Sequence, residues 1–287
     1  MKQYTRKELN EKLRAKIAEK KPLIGSGAAN PLIAKILEEA GCDFAFAYCT
    51  GVARIGGFVT YVGSRPLGDA DERCVRFAHQ ASAVLTDIPV ICGIGPADPT
   101  MDVGRLTDRY MALGYSGVIN FPCRGHIVNE MGRVNMYNLY AESVGLGVRE
   151  EARRIKYWHD HDVFSFAYAF DNEALRMCVQ AGVDVIIPHL GLTIGGLVGS
   201  QYFSLEDQKA MDEQIDKLNE MVEICREENP DTIVIGHGGI LSGPEQIKLA
   251  FERTDIKGFI GASSTERLPI EQGTVEFMKE VSALTKR

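Results

Sequence analysis

Eight times along this chain a short apolar run of strand character is followed by a stretch of amphipathic, helix-like pattern, and that alternation leaves few folds open. LIGSG (23–27) leads to PLIAKILEEAG (31–41), DFAFAY (43–48) leads through a glycine-rich loop to residues 70–86, and PVICGIG (89–95) leads to 101–114. GVINFP (117–122) precedes a helix that includes 149–161, VFSFAYAF (163–170) precedes 172–182, and VDVIIPHLG (183–191) precedes the long run 204–229. TIVIGHGG (232–239) with 243–254 and IKGFIGASS (256–264) with 269–286 complete the series. Eight such units suit a closed barrel, whereas an open doubly wound sheet typically has about five to seven strands. The expected fold is therefore α/β, a (β/α)8 TIM barrel in a single domain over 1–287, with an extra N-terminal helix.

Glycines at the ends of several helices, Gly41, Gly114 and Gly182, suit the left-handed residue that stops a helix and turns the chain into the next strand. The segments after the strands are longer and odder in composition, notably 49–69, 123–148 and 191–203. In a barrel of this kind those segments carry the chemistry.

Composition excludes several classes of function. A net charge of −7 argues against a nucleic-acid backbone as partner, while a local pocket for a small anion stays open. The N-terminus is charged throughout, no apolar run could span a bilayer, and the seven cysteines show no CxxC pairing. A cytoplasmic protein with reduced thiols is expected, with no membrane partner and with a second copy of itself as the expected partner in a homo-oligomer.

His189 and His237 come directly after the sixth and seventh apolar runs, so both are expected at the barrel mouth, where two imidazoles could share a proton, an anion or a metal. A structural role for each histidine is the competing reading. A divalent ion would need further ligands, with Asp98 and Glu142 as candidates beside the two histidines. Gly238, Gly239, Ser263 and Ser264 follow strands seven and eight, where barrels often hold phosphate on backbone N–H groups, and Arg267 could pair with a carboxylate or phosphate. Glu266 is a candidate general base, metal ligand or partner of Arg267; Asp98 and Asn120 add a carboxylate and an amide to the same rim. The loop LTIGGLVGSQ (192–201) is expected to cover the site.

At PHLGLTIGGLVGS, GHGGILSGPEQ and GFIGASSTERLPIE, and at YCTG, GDAD, GIGPADP and LGYSGVINFP, the sequence resembles the phosphoenolpyruvate hydrolase-like family, also called TIM-barrel signal transduction proteins. Similar sequence forms the C-terminal domain of plant Tm-1 proteins. The resemblance implies a barrel related to those of phosphoenolpyruvate mutase and isocitrate lyase. Its matching positions are Asp69, Asp98, Asn120, Glu142, His189, His237, Ser263, Ser264, Glu266 and Arg267. Cys49 stands where the family has Asn and Val52 where it has a basic residue, and the acidic run after strand three is reduced to Asp98. The function expected is a lyase or hydrolase acting on a small oxo-acid or enol through an enolate-like intermediate. A divalent metal is the candidate cofactor. A ligand-sensing barrel without chemistry is the alternative.

Overall fold

The computed structural model describes residues 1–60, 70–95, 102–123, 136–199, 204 and 207–285, with main chain alone at 136–139. Its strands are β1 (Leu23–Gly27), β2 (Phe44–Ala47), β3 (Val90–Gly93), β4 (Gly117–Ile119), β5 (Ser165–Ala169), β6 (Val185–Pro188), β7 (Ile233–Val234), β8 (Gly236–His237) and β9 (Gly258–Gly261). All pair in parallel, in the order β7-β6-β5-β4-β3-β2-β1-β9-β8. β7 and β8 are one strand interrupted at Ile235, whose N–H still donates to the Ile186 carbonyl at 3.1 Å. Both ends of the sheet thus lie in the same strand, and a bridge between His189 and His237 completes the ring. The nine segments fill eight positions of a TIM barrel.

Alternation along the strands sorts the core into two layers. Phe44, Phe46, Ile91, Ile119, Phe166, Val185, Ile187, Ile233 and Ile260 fill the barrel interior, while Ala45, Val90, Cys92, Val118, Ala167 and Ile186 face the helices. The interior is so full of aromatic rings that a Cβ on Gly25 would lie 1.9 Å from the Phe44 ring, which explains glycine in the middle of β1. The floor is sealed by α1 (Arg6–Ala18), begun by a capping box between Thr5 and Glu8, which puts Leu9 and Leu13 against the interior cluster.

The outer layer includes α2 (Pro31–Glu39), α4 (Ala70–Ala81), α5 (Val103–Ala112), α7 (Val148–Asp160), α8 (Asn172–Gln180), α9 (Gln208–Glu228) and α10 (Pro244–Arg253). Gly41, Gly114 and Gly182 end their helices at φ 75°, 92° and 86°, a region where a side chain would be strained.

Three further helices depart from the sequence expectation. α3 (Cys49–Ile55) occupies what reads as loop, because Gly51 and Thr50 mask a short helix whose buried residues are Cys49, Thr50, Gly51, Ala53 and Arg54. α6 (Met136–Ser143) precedes α7 in the fourth unit, and Ser263 and Ser264 open a one-turn helix, α11 (Ser263–Glu266), rather than ending a strand. The last helix, α12 (Leu268–Ser282), buries none of its residues. Among the described residues no helix is long and apolar enough to cross a membrane.

Candidate active site

β6 and β8 end side by side, and His189 and His237 project from them into one space at the barrel mouth. Their ring centroids are 4.7 Å apart with planes inclined at 79°. Tyr168, from β5, lies 5.3 Å from the first ring and 5.0 Å from the second, and Phe170 stacks on His189 at 4.2 Å. Both histidines are buried, at 4% and 6% exposure, so each imidazole is held in a largely desolvated, aromatic setting.

The hydrogen bonds assign the tautomers. His237 Nδ1 lies 2.7 Å from the Ile260 carbonyl, which can only accept, so Nδ1 carries the proton and Nε2 the lone pair. His189 Nδ1 accepts from the Gly191 N–H at 3.0 Å, so its proton sits on Nε2. Burial pushes the His237 pKa down to about 4, opposed by the bond to Ile260, and the ring is neutral at pH 7. The pair therefore supplies one base and one donor rather than two equivalent groups.

These rings line a small cavity together with Tyr48, Thr50, Arg54, Thr193 and Ser263. About 20 Å³ of it is open to the centre of a water-sized sphere. That is room for one or two waters at ~10–15 Å³ each, so a bound acid would displace water or push the lining aside. Beneath it lies a fully buried ion pair. Arg54 Nε donates to Glu266 Oε2 at 2.6 Å, and Nη2 contacts the same oxygen. Burial pushes the Glu266 carboxyl above its ordinary range, against the pull of Arg54. Sequence reading offered Arg267 as the partner of Glu266, but Arg267 turns away to Glu271 at 2.8 Å and to the Gly195 carbonyl at 2.9 Å.

The other expected residues are distributed as follows. Asn120 is fully buried and serves the scaffold: its Nδ2 donates to Glu151 at 3.0 Å and to the Tyr168 carbonyl at 3.1 Å, and its Oδ1 accepts from the Tyr168 N–H at 2.7 Å. Gly239 donates its N–H to the Gly191 carbonyl at 2.9 Å, and a Cβ on Gly238 would lie 2.4 Å from that same oxygen. These glycines let strands six and seven close on each other, and the Gly239 N–H is committed there. Ser263 borders the cavity; Ser264, half-buried, does not. Glu142 accepts from the Arg149 N–H at 3.1 Å near the start of α7 and is also outside the cavity lining.

Asp98 and Asp69 lie outside the described residues, as do the last residues of the 192–201 loop. The described part of that loop contributes Leu192 and Thr193 to the cavity wall and is tied to α12 through Arg267 and through Leu197 N–H to Glu271 at 2.9 Å. Tyr48, Thr50, Arg54 and Tyr168 are among the cavity residues that stand outside those expected from the sequence. Two signals were available for them: the YCTG motif, with Arg54 one helical turn beyond Thr50, and the inward alternation of Tyr168 in FSFAYAF.

A divalent ion fits poorly on the described residues. No three of their His, Cys, Asp or Glu side chains gather as a ligand set. His237 Nδ1, Glu266 and Glu142 are each bound elsewhere, to Ile260, Arg54 and Arg149.

The model of the phosphoenolpyruvate hydrolase-like family matches residues 8–284. The chain belongs to that family. Among curated relatives, the ToMV susceptible protein tm-1 of Solanum lycopersicum is 32% identical over 277 residues, covering 95% of this chain and 35% of its own length. The chain thus spans about a third of the length of that family relative. Among solved structures, phosphoenolpyruvate phosphomutase from Streptomyces platensis subsp. rosaceus superposes with a TM-score of 0.59 at 18% identity, over 95% of this chain and 87% of that one. Phosphonopyruvate hydrolase in complex with oxalate and Mg++ superposes at 0.57 with 15% identity, over 97% and 92%. Both likenesses are of fold: the family shares a barrel with these enzymes.

Proposed function

We propose that this protein is a lyase or hydrolase that cleaves a small oxo-acid through an enolate-like intermediate, with His237 as base and His189 as donor. The observation that carries the reading is the pair of neutral imidazoles with opposite tautomers in one buried cavity. A hydroxyl, of water in a hydrolase or of the substrate in a lyase, gives its proton to His237 Nε2. As the bond beside the oxo group breaks, its electron pair moves onto the oxo oxygen, and the His189 Nε2–H is the donor for that developing charge. Water exclusion by Tyr168 and Phe170 strengthens both interactions. Asp98 and the small anionic substrate contacts assigned to Ser263 belong to the same proposal, and no step here depends on a divalent ion. Incubation of the protein with phosphonopyruvate, oxaloacetate and β-hydroxy acids, with and without added Mg²⁺, tests the reading by release of pyruvate, oxalate or phosphate. Turnover that falls on His237→Ala supports it; binding without turnover of any of these acids favours a sensing barrel instead.

The same reading includes self-association. α12 carries Ile270, Phe277 and Val281 along one stripe, and all are exposed. α2 also leaves Leu32 and Ile36 exposed. We propose that a second copy of the chain covers α12, since in a twofold dimer one apolar stripe supplies both halves of the contact.

A further inference from the structure

Among the described residues that line the cavity, Arg54 is the one cation, and the fold gives it a partner that a ligand would have to replace. Its side chain is 1% exposed and that of Glu266 0%, so the pair lies wholly out of solvent. The pairing is end-on. Both guanidinium contacts go to Glu266 Oε2, and among the described residues Glu266 Oε1 has no hydrogen bond of good geometry, the Ala29 N–H being a weaker backbone donor to the carboxylate. Thr50, one helical turn before Arg54 and 1% exposed, has a hydroxyl that borders the cavity and finds no partner among the described residues. Such a buried orphan costs stability unless something else satisfies it.

The backbone is shaped around the pair. A Cβ on Gly27 would lie 3.1 Å from Glu266 Oε1 and 3.0 Å from the Tyr48 hydroxyl; one on Gly51 would lie 3.0 Å from Oε1 and 2.7 Å from Ala29 Cα.

Two tyrosines, a cysteine and His237 around it are neutral at pH 7. Tyr48, at the end of β2, is pushed by burial to about 12, Cys49 of α3 likewise to about 12, and Tyr168 of β5 upward as well. His237 of β8 is pushed down to about 4. Arg267, beside Glu266 in sequence, is paired with Glu271, and Arg73 reaches the Cys49 carbonyl. Among the described residues that line the cavity, an entering anion would therefore meet one guanidinium, already balanced by Glu266. If Glu266 stayed ionised, two negative charges would share one guanidinium without water, an arrangement that low-dielectric surroundings penalise heavily. One proton on Glu266 removes the conflict and frees Arg54.

We propose that Arg54, with the Thr50 hydroxyl beside it, is the receptor for one carboxylate of the ligand, and that each anion bound brings one proton onto Glu266. The proposal rests on the cavity being the ligand site and not on turnover, so it deepens the reading above without depending on catalysis. Linkage then fixes the sign: because the complex holds one more proton than its parts, affinity falls as pH rises, by up to about tenfold per pH unit.

Titration calorimetry with pyruvate and with oxalate, in phosphate and in Tris at equal pH, reads the proton directly, because the two buffers release protons with different heats. The expected result is an uptake near one proton per anion for the native chain and near zero for Glu266→Gln, which keeps the shape and leaves Arg54 unpaired by charge. Affinity in Glu266→Gln should also lose its pH dependence. Circular dichroism confirms that the variant is folded, and the native chain's buffer dependence stands without it. Equal heats in both buffers, affinity unmoved by Arg54→Gln, or no binding of either acid at millimolar concentration overturns the proposal. Proton-linked binding without turnover would sink the enzymatic reading alone; turnover with proton-silent binding would sink this one alone.

Discussion

His237 shows how strongly one backbone carbonyl can define the state of a buried imidazole. With its proton pinned on Nδ1 by Ile260 and its pKa near 4, the ring presents an unprotonated Nε2 throughout the neutral range. Replacement by alanine should lower kcat/KM by about 10²-fold or more while kcat and kcat/KM fall together. In the native protein, the pH–rate profile for kcat/KM should keep its acid limb near pH 4; a limb near 6.5 would mean that the ring is not held as described. The same shift bears on stability. Unfolded His237 titrates near 6.5 and folded His237 near 4, so between these values the unfolded chain binds more protons. The stabilising contribution is complete above pH 6.5 and is lost as pH falls toward 4, to the extent of about 3 kcal/mol. Urea unfolding of the native chain and of His237→Ala at pH 7 and pH 4.5 measures it: the native chain should lose more stability between the two pH values than the variant does.

Between elements, the locks are made by polar side chains whose purpose is invisible in sequence. Asn120 ties the end of β4 to the main chain of β5 on both sides of Tyr168, and in doing so sets the ring that borders both histidines. Asn120→Ala leaves the Tyr168 N–H unpaired in the core, at a cost of about 1–3 kcal/mol by the usual penalty for a buried orphan. Denaturant midpoints should show that loss; an unchanged midpoint would mean the bonds contribute nothing. The strand-helix alternation was plain in the sequence because strands buried on both faces read as continuous apolar runs. Convergence of His189 and His237 followed from strand adjacency alone. Pairing was not so accessible. Glu266 stands next to Arg267 in the chain, yet a helix sends successive side chains about 100° apart, and Arg54, 212 residues away, meets it across the barrel mouth. The Gly238 and Gly239 pair read as a phosphate cradle because glycine answers equally to a ligand and to a neighbouring strand. Here φ values of 81° and 53° and the Gly191 carbonyl at 2.4 Å from a Cβ on Gly238 favour the strand.

For the whole molecule, the barrel's last helix poses the largest unanswered term. In the other seven units the helix after the strand turns an apolar stripe onto the sheet, but α12 keeps Ile270, Val275, Phe277, Met278 and Val281 in solvent, each between 44% and 62% exposed. Its start is fixed by Arg267 and Glu271 to the loop over the cavity, so the helix cannot simply roll down onto the wall. Apolar surface of this kind marks a contact face, and covering each of these half-exposed side chains is worth roughly 1 kcal/mol. A dimer built on it would also steady the 192–199 loop, coupling assembly to the cavity through the Glu271 carboxylate that holds both Arg267 and the Leu197 N–H. Light scattering at micromolar concentration should give a mass twice the 31.6 kDa of the chain, and Phe277→Asp with Val281→Asp should halve it without loss of helical signal. If the dimer depends on α12, the double variant should also bind oxalate more weakly, because the cover over the cavity loses its anchor. A monomeric native chain, or a dimer untouched by the two charges, would place the partner of α12 elsewhere.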